Sequence, residues 1–173
     1  MKATDFAGDL NDFLSRYDYQ PALTEWLDRL GDVDFTQRSI DEIVLWKVNR
    51  YVGTNEELLS KLNGLKTLST GEHRRGEEAL KSLLQTHGVD LAIASTILRF
   101  RNPRVFQIID QHAYRAIYGR DYPLYTSTPA GRKIAVYFDY LDKLIELCSA
   151  RGLEFLTVDR LLYIFDKEIN GKL

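Results

Sequence analysis

Residues 77–100 read EEALKSLLQTHGVDLAIASTILRF. Ala79, Leu80, Leu83 and Leu84 recur at helical spacing, so the stretch opens as an amphipathic helix. That helix ends at His87-Gly88, and glycine leaves a helix cheaply because it has no Cβ. A second helix begins within three residues. It carries Leu91, Ala94 and Leu98 on one face, with the small side chains of Ala92, Ala94 and Ser95 permitting close packing. An ordinary αα-hairpin with a glycine cap accounts for this stretch. A hairpin of this kind can also turn the backbone N–H groups that start its second helix outward, where they can bind a phosphate without any side-chain charge.

The same helical reading extends both ways. Downstream, Asn102-Pro103 breaks the chain, because a residue before proline avoids the helical region. Val105 to Ile109 is at most a short extended piece. Asp110 follows, and Asp110 to Tyr118 reads as a short helix ended by Gly119. DYPLYTST (121–128) is a loop. Thr128 and Pro129 start a long helix striped by Ile134, Tyr137, Phe138, Leu141, Leu144 and Ile145. The last helix carries Val158, Leu161, Leu162, Phe165 and Ile169.

Upstream, Phe6, Leu10, Phe13 and Leu14 mark a first amphipathic helix. Pro21 starts a second, with Leu23, Trp26, Leu27 and Leu30, and Gly31 stops it. Ser39 with Glu42, Thr54 with Glu57, and Ser69 with Glu72 have the spacing of capping boxes. Trp46 lies off the stripe of its helix, which predicts a helix apolar on more than one side and central to the core. The expected fold is all-α: a compact bundle of about nine or ten helices, with residues 1–173 as one domain. Within it the helix-hairpin-helix motif spans about 75–101 and the Asp-bearing segment 103–119.

Composition narrows the function. A chain of 173 residues, 45% hydrophobic and 28% charged, supports one buried core. Its single cysteine, Cys148, allows no internal disulfide, no cysteine-ligated zinc site and no four-cysteine iron–sulfur cluster. No apolar run spans a membrane, and the start MKATDFAGDL holds no signal-peptide core. A soluble cytoplasmic protein without cofactor or metal is expected. The net charge of −2 argues against a strongly basic nucleic-acid binder, yet residues 71–120 hold 8 Lys+Arg against 5 Asp+Glu. That excess fits a local phosphate-facing surface; scattered solvated arginines fit it equally well.

The order glycine turn, small-residue helix, break, apolar run and aspartate, in HGVDLAIAS (87–95) and FQIIDQHAYRAI (106–117), resembles the helix-hairpin-helix DNA glycosylase superfamily. The likeness covers roughly residues 75–120. It implies an all-α fold and double-stranded DNA as partner. Gly88 then stands for the first hairpin glycine, and Asp110 for the catalytic aspartate. In that family the aspartate supports cleavage of the base–sugar bond. A fixed carboxylate stabilises the positive charge that develops on the sugar, or deprotonates the attacking water, after the base is flipped from the duplex. Ala92 stands where bifunctional members carry a nucleophilic lysine, so a monofunctional enzyme is implied, with no Schiff base and no strand nicking. Asp90 replaces the second hairpin glycine and sets a carboxylate at the mouth of the phosphate site. The lone cysteine excludes members with an iron–sulfur cluster.

The candidate site is therefore catalytic Asp110, with Gly88, Val89, Asp90, Ala92, Arg99, Arg101, Arg104 and His112 as DNA contacts. Each has a plainer reading. The arginines fit solvated surface positions, and His112 fits a first-turn histidine in polar contact. Lys47 and Arg50 fit ion pairs with Asp159 or Asp166, and the two tryptophans fit core packing better than base stacking. Tyr122 and Tyr125 sit in a loop where they can meet a ligand. Two other functions compete with the glycosylase: a non-catalytic domain for DNA binding or protein interaction in which Asp110 only caps a helix, and another enzyme class on the same scaffold.

Overall fold

The computed structural model describes residues 21–29, 35–48 and 52–171. Eight α-helices and no strand occur among them. The helix expected around Phe6 to Leu14 lies outside the described residues. The chain divides into two compact units between Tyr51 and Val52.

Within the first unit, α1 is Pro21–Asp28 and α2 is Gln37–Val48. The Trp46 indole donates to Thr24 Oγ1 at 3.0 Å, which joins the two helices. Trp26 is exposed, as are Ile40, Val44 and Leu45 of α2. The central position expected for this helix is thus not seen. The cap of α2 is Thr36, whose N–H and hydroxyl both meet the Ser39 hydroxyl, rather than Ser39 with Glu42. Lys47 and Arg50 fall outside the described side chains.

The second unit holds α3 (Glu56–Gly64), α4 (Glu77–Leu84), α5 (Leu91–Arg101), α6 (Gln111–Tyr118), α7 (Ala130–Arg151) and α8 (Val158–Ile169). Among the described residues, every buried apolar core residue belongs to this unit, from Leu58 to Leu162. The α7 stripe Ile134, Tyr137, Phe138, Leu141 and Leu144 supplies its spine. The start of α3 is capped by Asn55, which accepts from Leu58 N at 2.8 Å, one residue past the expected Thr54. Ser69 N does donate to Glu72 Oε2 at 2.8 Å, but this box opens a 3-10 turn, His73–Gly76, before α4 begins.

The break after α5 is built as the sequence implies and then tied down. Asn102 leaves the helix at φ −150, and its buried amide donates to Leu65 O and Leu68 O at 2.9 and 3.0 Å. Arg101 closes the C-terminal end of α3 by donating to Leu62 O and Asn63 O. Residues 106–110 then pass along the core with no regular secondary structure, Phe106, Gln107 and Ile109 being buried.

Candidate functional site

Buried backbone must be paired somewhere, and a segment outside helix and sheet has no ladder to supply partners. Here side chains supply them. Tyr137 donates to Gln107 O and Tyr140 to Ile108 O, both at 2.9 Å. Ile109 N donates to Ser95 Oγ at 3.2 Å, and Ser95 is fully buried on α5. Phe106 and Ile109 have no exposed surface. Small residues on α5 therefore do more than permit close packing: Ser95 fixes the register of the segment that carries Asp110. Burial pushes the Tyr137 and Tyr140 phenols far above the ordinary range, so both remain donors.

Asp110 ends this fixed segment. It is the N-cap of α6, with Oδ1 accepting from Ala113 N at 2.7 Å. Asp110 has no ion pair, and its second oxygen no hydrogen bond, among the described residues. Gly119 ends α6 at φ 64, in the left-handed region. On one side of Asp110 opens a pocket of about 260 Å³. Ile108, Asp110 and Ala113 form one wall; Asp159, Arg160, Tyr163 and Ile164 of α8 form the other.

The two walls are clamped by a buried carboxylate. Asp166 of α8 accepts from Arg115 Nε and Nη2 at 2.9 and 2.8 Å, and from Asn170 at 2.7 Å. His112 Nδ1 lies 2.7 Å from the same carboxylate. The Arg115 guanidinium holds the Asp166 carboxyl well below the usual carboxylate range despite its burial, with Asn170 and His112 adding to the effect. Asp159 is buried beside the pocket with its Oδ2 3.5 Å from Arg99 Nε. The acidic partners proposed for Lys47 and Arg50 are therefore matched by other cations, Arg99 and Arg115.

The remaining candidates fall in several places. Gly88 sits in the turn at φ 78, a conformation that favours glycine. Val89 is buried. Asp90 is the N-cap of α5 and accepts from Leu91 N; its carboxylate also meets Lys133 Nζ at 2.7 Å. Lys133 is itself buried and donates to Thr126 O. The hairpin carboxylate thus has an internal counter-ion from α7. Ala92 is exposed, and its carbonyl accepts from Ser95 and Thr96. Arg99 is buried and donates to Leu156 O, and Arg101 is engaged on α3. Arg104 is exposed without an ion pair among the described residues.

Asp90 and Asp110 both act on Tyr122, whose phenol is raised above its ordinary range by burial first and by these two charges second. Tyr122 packs edge-on against Tyr114 at 5.4 Å, whereas Tyr125 is exposed. Cys148 is buried, which raises its thiol and leaves it unreactive. Among the described residues, no group of three or more His, Cys, Asp or Glu is placed to hold a metal ion. No described helix is long and apolar enough to cross a membrane.

Arg160, Tyr163 and Ile164 were not singled out by the sequence, because an exposed arginine and a tyrosine on an amphipathic helix look like surface. Only the meeting of α6 and α8 brings them to Asp110. No protein-family model matches the chain, and neither a curated protein nor a solved structure matches it.

Proposed function

We propose that this chain is a monofunctional DNA glycosylase of the helix-hairpin-helix type, acting on double-stranded DNA. The observation that carries the reading is the state of Asp110. It is a carboxylate locked by its cap at the end of a core-anchored segment, with one oxygen free of partners among the described residues, on the wall of a pocket. Such a group can stabilise the charge that grows on a sugar as its base departs, and can hold the attacking water. Gly88, Ala92 and the exposed Arg104 are the remaining candidates for phosphate contact; Val89 is buried and its N–H donates to Thr86 O at 3.1 Å. Arg99 and Arg101 serve internal bonds, and His112 acts through Asp166.

A second reading, a non-catalytic domain for DNA binding or protein interaction, draws on Asp90. Its pairing with buried Lys133 keeps that cation from a phosphate, and the partly exposed Asp90 carboxylate itself repels one. One screen separates the two. Duplexes carrying a broad set of damaged or mispaired bases are incubated with the protein at low salt, where phosphate contacts are strongest. The glycosylase releases a free base, leaves an intact abasic strand, and gives no borohydride-trapped complex. Asp110→Asn abolishes release. Binding without release supports the second reading in its DNA-binding form, and neither binding nor release removes the glycosylase and leaves protein interaction.

A further inference from the structure

We propose that the cleft between the end of α6 and the first turns of α7 binds a free α-amino acid with an apolar side chain, its carboxylate on Arg120 and Arg132 and its ammonium on Asp139. The cleft shares no lining residue with the pocket beside Asp110, and the proposal stands whether or not the chain is a glycosylase.

The walls follow from helix geometry. Arg132, Ala135, Val136 and Asp139 stand at i, i+3, i+4 and i+7, so they share one stripe of α7. The core stripe of Ile134, Tyr137, Phe138 and Leu141 lies on another side of that helix. Opposite, Tyr114 and Tyr118 lie one turn apart on α6, their rings stacked at 4.3 Å. Gly119 turns the chain at φ 64, and Arg120 folds back over the Tyr118 ring, its Cζ 5.7 Å from the centroid. That ring is thus covered and supports the guanidinium rather than a ligand. A guanidinium held by its face keeps its N–H edges for a planar carboxylate. The cleft encloses about 300 Å³, at the lower limit of the roughly 300–1,000 Å³ typical of sites for drug-sized molecules. Pro123, Ala135 and Val136 supply its apolar part, where a small side chain can lie.

Charge selects a zwitterion. Arg120, Arg132 and Asp139 line one cleft, yet neither arginine forms an ion pair with Asp139 or with any other acid among the described residues. Opposite charges that share a cleft without meeting leave a gap that a ligand of both signs can bridge. Arg132 gains nothing from its own helix. The field at a helix N-terminus opposes a cation, and the first turn of α7 holds no acidic residue. Its neighbour Lys133 is offset by Asp90, whereas Arg132 is not. Asp139 is fixed by the Tyr118 hydroxyl, which donates to Oδ2 at 2.5 Å and leaves Oδ1 without a hydrogen bond among the described residues. Burial first, and this bond second, push the Tyr118 phenol far above its ordinary range, so it stays a donor. Lys143, one turn beyond Asp139, is taken by Glu146 at 2.8 Å. A simple anion would face Asp139, and a simple cation would face two arginines. An amino acid meets all three with the opposite sign.

Titration of the isotope-labelled whole chain with L-leucine, followed by amide chemical shifts, tests the site. The comparison ligands are glycine, 4-methylpentanoate, which lacks the ammonium, and 3-methylbutylamine, which lacks the carboxylate. Shifts are expected along the end of α6 and the start of α7. Leucine is expected to bind about tenfold more tightly than glycine, as for burial of about two apolar carbons. Arg120→Ala and Arg132→Ala are each expected to weaken leucine about 2- to 5-fold, as for an exposed ion pair, and to leave 3-methylbutylamine no weaker. Asp139→Asn keeps an acceptor for Tyr118. It is expected to weaken leucine by about the same 2- to 5-fold factor and to tighten 4-methylpentanoate. A merely structural role for Asp139 would weaken both ligands together. Arg120, Arg132 and Asp139 are all exposed, so these variants leave the core intact. Glycine or 4-methylpentanoate binding as tightly as leucine, unchanged leucine affinity in Asp139→Asn, or no shift around the cleft at millimolar leucine would each overturn the proposal.

Discussion

Asp110 caps α6 through one oxygen, and the catalytic role proposed for it would use the other, so the cap and the proposed role are separable by substitution. Asparagine caps a helix as well as aspartate does, whereas alanine cannot accept from the N3 amide. Asp110→Asn should therefore unfold at nearly the urea midpoint of the parent, while Asp110→Ala should lose about 1 kcal/mol, within a range of about 0.5–2. Equal losses in both variants would mean that the carboxylate charge, not the cap, stabilises α6. Asp166 makes the complementary case. Its carboxyl is lowered in the folded chain, chiefly by Arg115, so its contribution is full above the ordinary aspartate range and fades as pH falls below about 4. Urea midpoints between pH 5 and 3 should fall for the parent and fall less steeply for Asp166→Asn. Parallel acid limbs would assign acid sensitivity elsewhere. The sequence offered Asp166 as an ion-pair acid but gave no sign that its partners are Arg115 and His112, and nothing in it pointed to Lys133 as the partner of Asp90. His112 and Asp166 stand 54 positions apart, and only the packing of two helices makes them neighbours.

At the scale of elements, periodicity was readable and exact starts were not. The hairpin helices, the Asn102-Pro103 break, the Asp110 cap and the Gly119 stop all follow from local chemistry that the sequence displays. The two misplaced caps, Thr36 for Ser39 and Asn55 for Thr54, arise because several residues in a row can accept from a helix N-terminus. The segment 106–110 was legible as apolar, but its support was not, since its partners are side chains on α5 and α7. That support can be measured. Tyr140→Phe keeps the ring and removes the donor to Ile108 O, leaving a carbonyl unpaired at a cost of about 1–3 kcal/mol. Full stability in that variant, measured by urea unfolding, would show that Ile108 O needs no protein donor. Gly76→Ala probes the other side of the segment. An added Cβ would lie 2.7 Å from Phe106 Cζ, within a ring that has no exposed surface to retreat into. The expected loss in midpoint corresponds to about 1–3 kcal/mol of overpacking. A neutral result would mean that Phe106 shifts freely.

For the whole molecule, the division at residues 51 and 52 carries a prediction about folding. Among the described residues, the buried apolar core from Leu58 to Leu162 lies wholly in the second unit. The links that fix the Asp110 segment also start and end there: Ser95 to Ile109, Tyr137 to Gln107, Tyr140 to Ile108, and Asp166 to Arg115. A chain of about 120 residues is long enough to close one core and to unfold in a single step. Residues 52–173 alone should therefore be helical by circular dichroism and unfold cooperatively in urea, with coincident transitions by helicity and tyrosine fluorescence. Asp166→Asn within this fragment should lower its midpoint, because the clamp between α6 and α8 is internal to it. A fragment that is helical yet melts without cooperativity would show that residues 1–51 complete the core.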